Sequence, residues 1–177
     1  MAESEKERKD KFVELLKKAG SDEYETSWDD KGVPQVKSKE KITRGKKAKK
    51  KGLDFEAEVR EDLEEKGWIV CKWVNQIDLI QGKIVAAKRK FNPFSKVMTL
   101  GTGFPDFICF RKGGEGYVIW GVEVKTNGLL DREEKEKCAF LVDNKIFSEV
   151  VIAKKGEENI EYIYFKEKYL KEKDTEL

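Results

Sequence analysis

The sequence predicts an α/β fold in which a mixed central β-sheet is flanked by helices. Three observations predict it. Residues 53–66, "LDFEAEVREDLEEK", repeat apolar residues at helical spacing. Short apolar runs at 68–74, 106–111, 117–125, 148–153 and 160–165 have strand length and are bounded by Gly or charged clusters. A second helical stretch over 132–143 interrupts those runs, so the order α-β-β-β-α-β-β calls for one sheet with helices against it.

Along the chain, residues 3–18 read as an amphipathic helix with Phe12, Val13, Leu15 and Leu16 on its apolar side, stopped at Gly20. Residues 21–35 read as loop, with Trp28 and Pro34 as anchors. Residues 37–52, "KSKEKITRGKKAKKKG", are dense in Lys and nearly devoid of apolar side chains. Such a stretch is either a solvated linker or a nucleic-acid-binding arm, and the two are compatible. The expected organisation is therefore an N-terminal helix with a basic linker or arm over 1–50, followed by a domain over 51–177.

Gly67 ends the helix 53–66, and "WIVCKWV" follows as a strand. Gln81–Gly82 marks a hairpin turn, and a basic loop with Lys88, Arg89, Lys90 and Lys96 follows. "KGGEG" at 112–116 joins the strands 106–111 and 117–125 as a hairpin. Asp131 with Glu134 forms a capping pair that opens the helix 132–143.

Composition narrows the chemistry. Charged residues make up 41% of the chain, yet the net charge is only +2, so local rather than total charge has to identify partners. The Lys and Glu bias is of the kind found in hyperthermophiles. No apolar run is long enough to span a bilayer and no secretory signal opens the chain, so a cytoplasmic protein without a membrane partner is expected. Cys71, Cys109 and Cys138 are scattered through apolar segments and read as reduced core residues. There is no His and no Cys-x-x-Cys. That removes most zinc sites and all His-assisted nucleophiles, leaving carboxylates, Lys and Tyr for acid–base work and oxygen donors for a hard metal.

Strand alternation then isolates a small constellation. Val118, Trp120, Val122 and Val124 share one face, which is expected to be buried, and Glu123 and Lys125 point to the other. Taken alone, Glu-x-Lys is most simply an ion pair at a sheet edge. Asp106 opens the preceding strand, and a hairpin closed at 113–116 brings it beside Glu123. Two adjacent carboxylates repel unless a cation lies between them, and a divalent ion resolves this economically. The alternative for Asp106 is a cap on the loop after Pro105. A third acid comes from the helix 53–66, where Phe55, Val59 and Leu63 form the apolar stripe. Glu56 lies roughly 20° from Leu63 on the helical wheel, and Glu58, Glu61, Glu64 and Glu65 fall on the solvated side. Glu56 is either paired or metal-associated, or it reaches past the rim of the stripe to water.

Phe-Pro-Asp at 104–106 followed by Glu-Val-Lys at 123–125 resembles the PD-(D/E)xK nuclease superfamily. Residues 51–70, "KGLDFEAEVREDLEEKGWIV", resemble the first helix and strand of archaeal Holliday-junction resolvases, in which a Gly precedes the metal-associated Glu by four residues, as Gly52 precedes Glu56 here. "CKWVNQ", "GTGFPDFICF" and "GVEVKTNGLLDREE" resemble the virus-type replication–repair (VRR-NUC) branch. The resemblance spans roughly residues 51–155. It departs in two places. Glu133 or Glu134 stands where the virus-type branch usually has Gln, and the basic insertion before Asp106 is longer than in the resolvase pattern.

The resemblance implies a restriction-endonuclease-like core and a DNA endonuclease dependent on Mg²⁺ or Mn²⁺. In it Asp106, Glu123 and the Val124 carbonyl hold the metal, Glu56 assists directly or through water, and Lys125 positions or deprotonates the attacking water. Lys72, Asn75, Lys88, Arg89, Lys90 and the arm residues Lys46, Lys47, Lys49, Lys50 and Lys51 are expected to contact DNA, and no small-molecule cofactor is implied. The host is expected to be prokaryotic, archaeal or viral. Junction resolvase, flap nuclease and sequence-specific enzyme all stay open, as does a DNA-binding module on the same fold with little cleavage. A resolvase would be a homodimer, because two symmetric cuts need two sites.

Overall fold

The structure, a computed structural model, describes residues 4–92 and 96–170, the Lys90 side chain excepted. It holds a five-stranded mixed sheet, three small hairpins and four helices. The chain divides into two units, Met1–Leu53 and Asp54–Leu177. Among the described residues no helix is long and apolar enough to cross a membrane.

In the first unit, helix α1 (Glu5–Ala19) is opened by a Ser4/Glu7 capping box and closed at Gly20. It buries no residue fully, and Phe12, Val13 and Leu16 are each more than 40% exposed. Residues 21–35 depart from the loop expectation. Strands β1 (Tyr24–Trp28) and β2 (Pro34–Ser38) form a hairpin. Tyr24, Thr26 and Trp28 alternate as strand formers do. The Asp29 carboxylate closes the turn by accepting the Lys31 and Val33 N–H groups at 2.9 and 2.8 Å, and Gly32 takes a φ of +72°. Pro34 is buried as an anchor; Trp28 is not, being 60% exposed.

The Lys-rich stretch departs as well. It is not a linker. Helix α2 runs from Lys39 to Glu65 and takes in both the basic segment and the expected helix. Low apolar content argues against a core, but Lys, Arg and Ala are good helix formers and no Pro interrupts them. Gly45 and Gly52 cost only about 1 kcal/mol each.

The second unit carries the sheet, in the order β11-β10-β9-β8-β3. Its strands are β3 (Ile69–Lys72), β8 (Phe107–Lys112), β9 (Tyr117–Val124), β10 (Glu149–Lys155) and β11 (Ile160–Tyr164). The pairs β3–β8, β8–β9 and β10–β11 are antiparallel. The pair β9–β10, joined through helix α3 (Arg132–Asp143), is parallel. Asp131 and Glu134 form the expected capping box of α3. A single π-helical turn, Lys166–Leu170, follows β11.

Both faces of the sheet are covered. Phe55, Val59 and Leu63 of α2 pack with Val70, Phe107 and Val122 on one side. Cys138, Leu141 and Val142 of α3 pack with Val150, Ile152 and Phe147 on the other. The expectation of one buried face on β9 is thereby corrected. Gly121, Val122 and Glu123 are buried in succession, as befits an interior strand. Cys71 is corrected too. All three thiols are free, but Cys71 is exposed, because β3 is an edge strand of which only Val70 is buried.

Between β3 and β8 the chain makes two further hairpins. Strands β4 (Gln76–Asp78) and β5 (Lys83–Val85) turn around Gly82, as expected. Strands β6 (Arg89–Asn92) and β7 (Val97–Leu100) replace the expected basic loop. Arg89↔Leu100 and Phe91↔Met98 are cross-strand partners.

Candidate active site

The β8–β9 hairpin sets the site. Its register pairs Phe107 with Val122, which brings the preceding Asp106 beside the following Glu123. The Asp106 carboxylate is fixed from one side by the Val124 N–H, which donates to Oδ2 at 3.0 Å. Its backbone carbonyl accepts the Trp73 N–H at 3.0 Å, tying β8 to the end of β3. Burial is the main reason the Asp106 carboxyl titrates above its ordinary value, and the Glu56 charge adds to it.

Glu123 is only 6% exposed. Burial, and then the charge of Asp106, push its carboxyl up to about 8. Its counter-ion is Lys125, with Nζ 3.1 Å from Oε1. Lys125 also donates to Glu134 at the first turn of α3. Burial alone would lower the Lys125 ammonium; the Glu134 hydrogen bond and the Glu123 charge outweigh it and hold it above its ordinary value.

Glu56 reaches the same cleft from α2. Its partner is Lys72 at the end of β3, whose Nζ lies 2.6 Å from Glu56 Oε2 and 3.4 Å from Asp106 Oδ1. The ammonium of Lys72, a residue expected to contact phosphate, bridges two of the acids. The rest of the α2 stripe lies as the periodicity predicts, with Phe55, Val59 and Leu63 buried and Glu58, Glu61, Glu64 and Glu65 exposed.

Four carboxylates (Glu56, Asp106, Glu123, Glu134) and two ammoniums (Lys72, Lys125) thus meet in an open cleft of about 400 Å³ or on its rim. Asp131, Glu133 and Lys137 line the same cleft, so its acidic side chains outnumber its ammoniums. All the acidic donors are hard oxygens, which suits Mg²⁺ or Mn²⁺. Among the described residues no three acid or thiol side chains are already gathered closely enough to enclose an ion. Lys72 stands between Glu56 and Asp106, where its ammonium supplies the positive charge. The oxygens that could hold a divalent ion here are those of Asp106, Glu123 and the Val124 carbonyl, with Glu56 as the outlying acid.

Sequence reasoning missed three parts of this cleft. Glu134 reads in sequence as a cap and as one of two candidates for the virus-type Gln position, not as a partner of Lys125; its side chain accepts from the Asp131 N–H through Oε2 and binds Lys125 through Oε1. Gln76 and Thr102 line the cleft, and the Gln76 amide donates to the Thr102 carbonyl. Gly103 permits that wall. A Cβ there would lie 2.7 Å from the Val74 carbonyl carbon and 2.8 Å from the Asn75 oxygen, so no side chain fits.

The expected DNA contacts divide three ways. Asn75 is half-buried, and its carbonyl accepts the Phe104 N–H at 3.0 Å, so it shapes the cleft wall. Lys88 and Arg89 are exposed, and the Lys90 side chain lies outside the described residues. Lys46, Lys47, Lys49, Lys50 and Lys51 are exposed along α2.

The geometry separates Glu56 from its helical neighbour Glu58, which is 53% exposed and 3.8 Å from Lys155. Glu56→Gln is expected to lower metal-dependent phosphodiester cleavage about tenfold or more and Glu58→Gln to leave it unchanged. Equal rates for the two variants would remove Glu56 from the site.

Compared with known proteins, the chain matches no protein-family model, no curated protein and no solved structure.

Proposed function

We propose that this chain is a metal-dependent DNA endonuclease of the PD-(D/E)xK kind, selective for branched DNA. The observation that carries the reading is the packing of Asp106 against Glu123 at the open end of the β8–β9 hairpin, with Lys125 held beside them by Glu134. Two acids raised above their ordinary values beside a fixed ammonium are costly to the fold, and such clusters concentrate at functional sites.

A bound Mg²⁺ or Mn²⁺ would supply Lewis-acid polarisation of the scissile phosphate and a water of lowered pKa. Asp106 orients its carboxylate through the Val124 N–H. Glu123, buried beside Asp106, would be one of the carboxylates holding the cation. Lys125, protonated at neutral pH, faces the attacking side, where it orients water and offsets charge gathering on the phosphate. Glu134 keeps that ammonium from swinging to solvent. Lys72, paired with Glu56 and Asp106, offsets their charge and would reach a phosphate bound at the same acids.

A second reading is favoured by one observation. Lys72 already satisfies Glu56 and Asp106, which is what a DNA-binding module with little cleavage would need. The deciding experiment incubates full-length protein with four-way junction, flap, splayed-arm, single-stranded and duplex DNA, in Mg²⁺ and in EDTA. Cleavage only in Mg²⁺ supports the nuclease. Salt-sensitive binding without cleavage supports the module, and neither result removes both readings.

The basic part of α2 gives an independent prediction. Residues 37–51 carry nine Lys or Arg against one Glu. Each phosphate they neutralise contributes about 0.9 to the slope of log affinity against log salt. Changing Lys46, Lys47, Lys49, Lys50 and Lys51 to Gln keeps helix propensity and removes charge. The expected result is a slope shallower by about two to four units for duplex and junction alike, because phosphate contacts are blind to sequence. An unchanged slope means these lysines are only solvated.

A further inference from the structure

The insertion between β3 and Asp106 has a character of its own. Residues 79–105 contain five basic side chains (Lys83, Lys88, Arg89, Lys90, Lys96) and not one Asp or Glu, in a chain with 35 acids among 177 residues. Its second hairpin, β6–β7, also exposes apolar surface. Phe91 is 60% exposed, Met98 58% and Leu100 56%. Phe91 and Met98 are direct cross-strand partners, and Arg89 and Leu100 are the next pair on the same face. A face that sets three exposed apolar side chains next to an exposed Arg asks for a partner.

The roots of this insertion form the wall of the catalytic cleft. Gln76, Thr102, Gly103 and Phe104 line it together with Asp106 and Glu123. The Gly101 N–H donates to the Lys88 carbonyl at 3.2 Å, closing the base of β6–β7. From Leu100 to Asp106 there are six residues, at most about 20 Å of extended chain. The base of the hairpin therefore lies within about one duplex diameter of the acids.

We propose that the β6–β7 hairpin is a branch-point wedge, which places Phe91 and Met98 against unstacked bases where a DNA branch meets the cleft while Lys88, Arg89 and Lys96 hold the flanking phosphates. Charge selects this occupant. A stretch with no acid complements a polyanion, whereas a two-fold contact with a second copy of this chain would press like charges together. Chemistry selects the position. Apolar side chains enter DNA by separating base steps, which is costly in a continuous duplex. At a junction or fork stacking is already interrupted, so the same insertion costs less there. The wedge thus favours branched over linear DNA without reading sequence. It rests on the nuclease reading for its effect on cleavage but not for its effect on binding, so the test is built on binding.

The experiment compares full-length wild type with the double variant Phe91→Ser, Met98→Ser and with Phe91→Trp. Both sites are exposed, and far-UV circular dichroism with a thermal midpoint checks that the fold is kept. Affinity for a four-way junction, a splayed arm and a linear duplex is measured in Ca²⁺. A 2-aminopurine beside the branch reports unstacking. The wild type is expected to prefer branched DNA and to brighten the 2-aminopurine. The double variant should lose roughly tenfold on branched DNA and less than twofold on duplex, with the fluorescence rise gone. Phe91→Trp should retain both. Equal losses on all three DNAs, an unchanged fluorescence rise, or a wild type without branch preference overturns the wedge. So does a change of oligomeric state in the double variant, which would make the face a contact between copies. If the expected binding and fluorescence changes occur while the wild type shows no Mg²⁺-dependent cleavage, the wedge stands and the nuclease reading falls.

Discussion

Glu123→Gln is expected to lower Mg²⁺-dependent cleavage roughly a thousandfold or more while making the metal-free protein more stable. The loss follows from removing a charged donor at the centre of the site, where a metal contributes several kcal/mol of transition-state stabilisation and each 1.36 kcal/mol is about tenfold in rate. The gain follows from the burial of Glu123, which holds its carboxyl near 8 instead of its ordinary 4.5. Between those two pH values the folded protein keeps a proton that the unfolded chain has released. Stability of the metal-free wild type therefore falls as pH climbs from about 4.5 to 8 and levels off above. A neutral, isosteric amide does not titrate, so the variant loses this slope and gains on the order of 2 kcal/mol at pH 8. Mg²⁺ should raise the midpoint of the wild type by mass action and leave the variant nearly unmoved. Thermal midpoints from pH 5 to 9, with and without Mg²⁺, alongside a cleavage assay, check all three statements. A variant that still cuts at the wild-type rate removes Glu123 from the chemistry.

The sequence makes the Asp106–Glu123 pairing legible because a Gly-rich turn of fixed length joins two strands, and antiparallel register then follows from counting residues. Glu56 is legible for a similar reason: its helical face is settled by Phe55, Val59 and Leu63, all within two turns. Lys72 and Glu134 are harder. Each meets its partner across the fold, from the end of β3 and the start of α3, and neither position is fixed by local spacing. Glu134 carries a local signal that conceals the other role, because a capping-box Glu already has an explanation in sequence. The basic stretch fails differently. A lack of apolar residues shows that it has no core to join, but it does not decide between coil and helix, and propensity favoured helix. The buried run Gly121–Glu123 hides from alternation because a strand covered on both faces has no polar side to display.

Lys125→Met is expected to abolish cleavage and, unlike Glu123→Gln, to destabilise the fold at alkaline pH. Lys125 is the shared cation of two carboxylates, Glu123 at 3.1 Å and Glu134, and its side chain is 27% exposed. Removing one partner of a fully buried ion pair costs about 3–5 kcal/mol, because the remaining charge has lost its compensation. Solvent at this partly open cleft reduces that to about 2 kcal/mol at pH 8. Lowering the pH relieves the loss. Without Lys125 the Glu123 carboxyl holds its proton more firmly, and a neutral acid needs no counter-ion, so the share of the deficit owed to Glu123 should fade as pH falls below about 8. Cleavage should fall about 10²–10⁴-fold at every pH, since the ammonium proposed to offset charge on the phosphate is gone. Pairing the change with Glu134→Gln separates the two effects. The double variant carries one fewer uncompensated charge and should recover about half of the lost stability at pH 8 with no recovery of cleavage. Glu134→Gln alone leaves Lys125 paired with Glu123 and should cost no more than about tenfold in rate, as expected of a residue that positions another. Chemical denaturation at pH 5 and pH 8 for the three variants, with single-turnover cleavage in Mg²⁺, gives the full cycle. If Lys125→Met matches wild-type stability at pH 8, the ammonium is not what holds the two acids in the cleft, and its place beside the reacting phosphate goes with it.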